Sequence, residues 1–351
     1  MKERNSKFEL LRILCIVLII ASHFTMYKGD LGEVGTINYY IGNIIRSFCI
    51  VSVNCFVLIS GYFGIKFNIK KIIKLDLTVI FYTIILFLIS IIFGIHTISF
   101  KNDILLFLPI LTKRYWFITI YILLCFLSPI LNLIVSILKK EQYKKFLLFL
   151  IVVFYILPIL SYLLNAPTIT MDSGYGIINF ICLYFIGRYI NLYYEDNWKP
   201  SKYLVVYIVC SILIFLFNHL FTKIFGFYFN SFLSYDTLFV LISSIMLFLF
   251  FKNISISSKV INTLAEGCFA VYIIHMNPTL SKYIFIDILN VKKYHGLNYI
   301  LAICIMPIVM FLLLTIVELI RLKILGTFEN NLVKCIYNNK NVNFLNKLII
   351  K

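Results

Sequence analysis

The stretch FELLRILCIVLIIASHFTMY, Phe8 to Tyr27, decides the fold. It is apolar over roughly 18 residues, about the length a helix needs to cross a hydrocarbon core, yet it carries Arg12 and His23 within it. An ionisable side chain in such a segment is costly and marks a functional position by default. At about 100° per residue, the eleven-residue separation returns the pair to within roughly 20° of one helix face, about 16 Å apart along the axis. A signal peptide would also begin apolar, but no small-residue cleavage site follows and a histidine stands near the end, so the stretch reads as a retained first span.

The rest of the chain agrees with a membrane setting. It is 62% hydrophobic and 13% charged, with a mean hydropathy of +0.97, whereas soluble domains hold roughly 25% charged residues. A soluble core is excluded. The net charge of +17 would suggest nucleic acid in a soluble protein; here the basic residues cluster in short loops between apolar runs, the positive-inside pattern, and no nucleic-acid partner is expected. The nine cysteines include Cys15, Cys125, Cys210 and Cys304 and show neither a C-x-x-C pair nor a Cys/His metal spacing. They read as small hydrophobes, and no metal is expected.

A window of about 19 residues predicts an all-α polytopic bundle of about ten transmembrane helices. Their approximate limits are 9–27, 40–63, 75–95, 115–138, 146–165, 174–192, 203–221, 233–251, 259–277 and 298–320. Lys2, Arg4, Lys7 and Arg12 mark one side, which also receives Lys66, Lys70, Lys71 and Lys74 and then Lys139, Lys140, Lys144 and Lys145. That bias predicts a multi-pass membrane protein with both termini cytoplasmic. The short apolar segments near 100–113 and 281–291 carry Lys101, Asp103, Lys113, Arg114 and Asp287, with Lys292 and Lys293 just beyond. They are too short and too charged to span, and are expected in external loops. Residues 326–351 read as a short polar, basic cytoplasmic tail after a membrane domain of 1–325. No internal repeat of the kind found in many transporters is visible.

Four local patterns accumulate along this frame. Arg12 and His23 share the first helix. NCFVLISGYFG, Asn54 to Gly64, ends the second span, with Ser60 and Gly61 suited to a turn or a close helix approach. RYWFITIYILLCFLSPILN, Arg114 to Asn132, brings an aromatic cluster and Pro129, and LAEGCFAVYIIHMNP, Leu264 to Pro278, contains His275. Together these resemble the membrane-bound acyltransferase 3 family over the whole length. The resemblance rests on Leu11-Arg12 with His23 eleven residues later, on Phe56 to Tyr62, on Trp116, Phe117, Ser128 and Pro129, and on Tyr272 with His275.

The resemblance implies transfer of an acyl group, usually acetyl from acetyl-CoA, to a hydroxyl of a cell-surface polysaccharide or lipid-linked saccharide. It sets His23 in the catalytic position and Arg12 as the motif arginine. Where family members often carry an arginine pair thought to meet CoA, this chain has Lys71 and Lys74, which keep the charge and lose the bidentate geometry. Residue chemistry points the same way: histidine can act as base or nucleophile at neutral pH, and Arg12 with Lys70, Lys71 and Lys74 offers cations for phosphate.

Each position also has a plainer reading. Arg12 can snorkel as an interfacial anchor, His23 and His275 can serve helix packing or capping, and Lys71 and Lys74 can be ordinary cytoplasmic charge. Ser60 reads chiefly as packing support, Glu266 as a helix-end carboxylate or a partner for a histidine, lysine or Arg12, and Tyr272 as part of the His275 motif. Tyr115 and Trp116 suit an aromatic belt, and His96, His219 and His295 receive no role. Two other classes stay open: a flippase-like transporter of polysaccharide or lipid, and a non-catalytic membrane scaffold. Neither the acyl chain length nor a separate extracytoplasmic transferase as partner is decided by the residues.

Overall fold

The computed structural model describes residues 4–99, 103–164, 166, 168–170, 172–339 and 342. Lys2, Lys101 and the tail at 340, 341 and 343–351 lie outside the described residues. Among the described residues every regular element is helical: α1 (Ser6–Lys28), α2 (Ile37–Cys49), α3 (Ser52–Phe63), α4 (Ile69–Ile92), α5 (Trp116–Ile137), α6 (Lys140–Leu163), α7 (Ile177–Tyr193), α8 (Pro200–Phe225), α9 (Leu238–Asn253), α10 (Lys259–Leu264), α11 (Cys268–His275) and α12 (Gly296–Tyr337).

Eight segments are long and apolar enough to cross a membrane, with α2 and α3 counting as one. The other two expected spans take different forms. α7 is 17 residues long, and the 259–277 segment divides at a 3-10 turn, Ala265–Gly267, between α10 and α11. Gly267 explains part of that break: a Cβ there would stand 2.6 Å from Thr315 Oγ1, so the chain passes closer to α12 than any other residue allows. Residues 104–107 form only a short 3-10 turn and 283–288 a π turn, neither of spanning length.

Boundaries follow local chemistry. α1 stops at Gly29, in the left-handed conformation that glycine tolerates, and α8 stops in the same way at Gly226. Thr36 caps α2 by accepting from Tyr39 N, and Pro200 opens α8. α6 starts at Lys140, earlier than hydropathy predicts, so exposed Lys140, Lys144 and Lys145 ride its first turns. The expected second span breaks at Ile50 and Val51. Carbonyls near the break are taken up by side chains: Tyr207 donates to Phe48 O at 2.9 Å and Ser52 to Cys49 O at 2.7 Å.

The chain divides into two compact units. The first comprises 1–65, 131–265 and 291–308. In it α3 packs along α7 and α8 along α9, while α1 lies against α2, α3 and α9. Gly61 and Gly187 set the α3–α7 distance, because a Cβ at either would stand 2.5–2.6 Å from a carbonyl oxygen of the facing helix. The second unit comprises 66–130, 266–290 and 309–351, and in it α4 packs on α11. α12 has 42 residues, about 63 Å of helix against a hydrocarbon core of about 30 Å. Helix therefore continues to Tyr337, well into the segment that composition reads as a polar tail.

Candidate functional site

α1 is unbroken from Ser6 to Lys28, so Arg12 and His23 keep the register their spacing requires. Both are half-buried. Arg12 is committed to Glu9, one helical turn earlier, with Nη1 and Oε1 2.5 Å apart. Glu266, considered above as a partner for Arg12, belongs to the second unit. Phe8 holds this end of α1 in an aromatic cluster with Tyr62, Phe63 and Phe248, at centroid distances of 5.1–5.5 Å. Ser60, at the same end of α3, donates to Phe56 O of its own helix. This is the local hydroxyl bond of a packing serine.

The other end of α1 meets a polar array that sequence reading missed. Arg46 of α2 is close enough to His23 to act on it electrostatically. Its Nη1 donates to Tyr228 OH at 3.0 Å, which donates to Asn43 Oδ1 at 2.7 Å. Asn43 Nδ2 in turn donates to the carbonyls of Leu31 and Tyr39. Tyr39 OH shares a 3.0 Å hydrogen bond with His219 Nδ1, and these residues together with Ser47 and Asn218 line a narrow cleft. Tyr39, Asn43 and Ser47 fall at i, i+4 and i+8, with Arg46 beside them. A polar stripe at helical spacing inside an apolar span was the available signal.

Beside the array, Lys28 and Asp30 form a buried ion pair at 2.9 Å. The ammonium also lies over the Tyr299 ring, 5.1 Å from its centroid. Gly42 makes room for this arrangement, since a Cβ there would stand 3.2 Å from Tyr299 OH and 2.7 Å from Leu31 Cδ2. His295, given no role by sequence, accepts from Asn38 Nδ2 at 2.9 Å, while Asn38 Oδ1 accepts from Gly296 N. Those two bonds tie the start of α12 to the start of α2.

The remaining predicted residues belong to the second unit. His275 is fully buried, and its Nδ1 lies 2.6 Å from Val271 O. A carbonyl only accepts, so Nδ1 carries the proton of that bond. Tyr272 stands edge-on to Tyr115 and Phe117, and Tyr115 OH accepts from Asn277 Nδ2. Tyr115 is thus buried structure, not an exposed belt residue. Glu266 is exposed on the 3-10 turn.

Of the three lysines, Lys70 and Lys71 are exposed; Lys70 lies 4.1 Å from the centroid of the Tyr337 ring, and Lys74 donates to Asn330 Oδ1 at 3.0 Å. Two of the expected phosphate cations therefore rest against the late turns of α12. Next to them is a buried charge network. Arg321 makes a two-point contact with Glu318, at 2.6 and 2.9 Å, and reaches Glu329 at 3.3 Å. Tyr82 and Thr78 of α4 donate to the same carboxylates.

Comparison with known proteins agrees with this helical frame. No curated protein and no solved structure matches the chain. A family model described as an acyltransferase domain, acyltransferase 3, matches residues 5–320, which takes in every helix from α1 into the charged part of α12. An acyltransferase domain on a multi-span helical scaffold is a membrane acyltransferase, and the chain belongs to the acyltransferase 3 family.

Proposed function

We propose that this membrane acyltransferase moves an acyl group, acetyl first among them, from cytoplasmic acyl-CoA to a hydroxyl of a cell-surface polysaccharide or lipid-linked glycan, with His23 as the reacting histidine. The observation that carries the reading is His23 on the unbroken α1, sharing a face with Arg12. A histidine serves such a reaction either as base or as the group that takes the acyl first.

As base, His23 accepts the proton while the hydroxyl oxygen attacks the thioester carbonyl carbon. The carbon–sulfur bond breaks, and His23 gives the proton to the departing sulfur, which leaves as the free thiol. Negative charge develops on the carbonyl oxygen during the attack, and Arg46, held by Tyr228, supplies fixed positive charge for it. Arg12 is the cation that the first unit offers to the phosphates of the donor, and Lys70, Lys71 and Lys74 are the candidates that the second unit offers. Lys71 is the first choice among the lysines, being exposed while Lys70 and Lys74 already touch α12.

The test is the O-acetyl content of surface polysaccharide, by proton NMR, in cells with no copy of the gene, the wild-type chain, or His23→Ala at matched membrane abundance. Signal restored by the wild type and lost in the variant is the expected result. Equal signal from wild type and variant would end the role given to His23.

A further inference from the structure

The turns of α12 beyond Arg321 lie outside residues 5–320, the reach of the family match, and the donor chemistry assigned above gives them no part. Within the second unit they run along α4 in a matched register. Tyr82, Thr78, Lys74 and Lys70 recur every four residues on α4, a row about 18 Å long. They meet Glu318, Glu329, Asn330 and Tyr337 of α12 in turn.

The row changes character halfway along. In its buried half, the Glu318 and Glu329 carboxylates that accept from Tyr82 and Thr78 also hold Arg321. In its outer half the partners are neutral: Lys74 Nζ donates to Asn330 Oδ1, and Lys70 Nζ faces the Tyr337 ring. Among the described residues, neither these two lysines nor Lys71 forms an ion pair with a carboxylate. A carboxylate would cancel the ammonium charge, whereas an amide oxygen and a ring face hold the group in place and leave it charged. Lys74 uses one of its three N–H donors on Asn330 and keeps two. Lys71 stands exposed on the same first turns of α4, where the free N–H groups of the helix start add positive charge. Three cations are thus gathered at one place, two of them held from α12. Lysine is a point charge on a flexible stem, so holding it beforehand removes part of the ordering cost of binding a phosphate.

We propose that Asn330 and Tyr337 are positioning residues of the donor site, holding Lys74 and Lys70 ready for the phosphates of the acyl donor. They supply from α12 the order that an arginine pair would have in its own planar fork. The inference rests on the acyl-CoA reading for the identity of the polyphosphate, and it extends the site from α4 onto late turns of α12 that lie past the family match.

The test is the dissociation constant of acetyl-CoA for the full chain in phosphatidylcholine nanodiscs, by isothermal titration calorimetry, at low and high salt. Tyr337→Leu and Asn330→Ala should each weaken binding about two- to tenfold, the effect of having to immobilise one long side chain anew. Tyr337→Phe keeps the ring and should bind as the wild type does. Asn330→Asp sets a carboxylate against Lys74 and should weaken binding more than Asn330→Ala. All four variants should elute as the wild type does. The gap between wild type and each weakened variant should narrow as salt rises from about 0.05 M to about 0.5 M, because it acts through charge. A gap that is the same at both salts would mark a defect of folding and overturn the proposal. Equal or tighter binding by Tyr337→Leu and Asn330→Ala would mean that α12 only covers the lysines or that they serve lipid headgroups, and would remove this inference alone. A wild-type chain that binds no acetyl-CoA would overturn the donor reading and this inference together.

Discussion

Gly61→Ala is a stringent test of the α3–α7 crossing. The added methyl would stand 2.5 Å from Tyr184 O, 2.9 Å from its Cα and 3.1 Å from its carbonyl carbon. All three are backbone atoms and cannot swing aside, so reaching an ordinary contact of about 3.5 Å requires the helices to part by about 1 Å. Overpacking of this kind costs about 1–3 kcal/mol, and the better helix propensity of alanine offsets about 1 kcal/mol of it. A net loss of up to about 2 kcal/mol is expected. Gly187→Ala meets Leu58 O at 2.6 Å and Tyr62 N at 2.7 Å across the same crossing and should cost a similar amount. Because either change already separates the helices, the double variant should lose less than the sum of the two. Gly326→Ala is the control: it lies in α12 with nothing within 4 Å of its added carbon and should be neutral or stabilising. Thermal unfolding of the purified chain in detergent, followed by size-exclusion elution, reads all four. If Gly61→Ala behaves like Gly326→Ala, or the two crossing variants add without coupling, the close packing of α3 on α7 is wrong.

Other expectations follow from the same geometry. Arg46→Met should lower kcat for acyl transfer by about 10²–10³ with little change in KM, and Arg46→Lys should recover part of it, measured on purified enzyme; an unchanged kcat would remove Arg46 from the charge assignment. Lys71→Ala should raise KM for acyl-CoA and leave kcat near the wild-type value, whereas an unchanged KM would take that lysine out of donor binding. Arg321→Met leaves the buried Glu318 and Glu329 carboxylates without their cation and should destabilise by about 3–5 kcal/mol, while Glu318→Gln/Arg321→Met/Glu329→Gln together should recover much of it in thermal unfolding. Outside the spans, the Ser99 N–H donating at 2.7 Å holds the Asp103 carboxyl below its ordinary range. Its stabilising effect on the loop is present above the unfolded value of about 3.9 and is lost as pH falls through the lower folded value. Hydrogen exchange at Ser99 should therefore rise beyond its intrinsic pH dependence only under strongly acidic conditions, and a rise already at pH 6 would contradict the assignment.

The helical frame was legible because bilayer thickness imposes a length that composition reports directly. Where the frame departs from the reading, the cause is a contact that a hydropathy window cannot see. Gly267 approaches Thr315 and the ninth segment divides there. Tyr207 and Ser52 satisfy carbonyls that let α2 end before α3 begins. Beyond Arg321 the polar composition looked like a surface tail, yet Glu329 is buried against Arg321 and Thr78, and the helix runs on to Tyr337.

The candidate site divides along the same line. His23 and Arg12 could be found because both signals sit on one helix, where eleven residues fix angle and rise without reference to any other element. Arg46 was visible as a charge within the second span, but its meaning depends on Tyr228, some 182 residues later, and on the field it exerts at His23. Glu9 was equally visible, and it changes how Arg12 can act: a guanidinium already paired one turn away can add a phosphate only while keeping Glu9 or by releasing it. If Arg12 serves the donor, Glu9→Gln should tighten acyl-CoA binding by freeing the cation. If Arg12 serves only the helix, the same change should lower stability and leave donor binding alone. Measuring acyl-CoA affinity and thermal unfolding on that one variant separates the two roles, and affinity falling together with stability would refute the donor role.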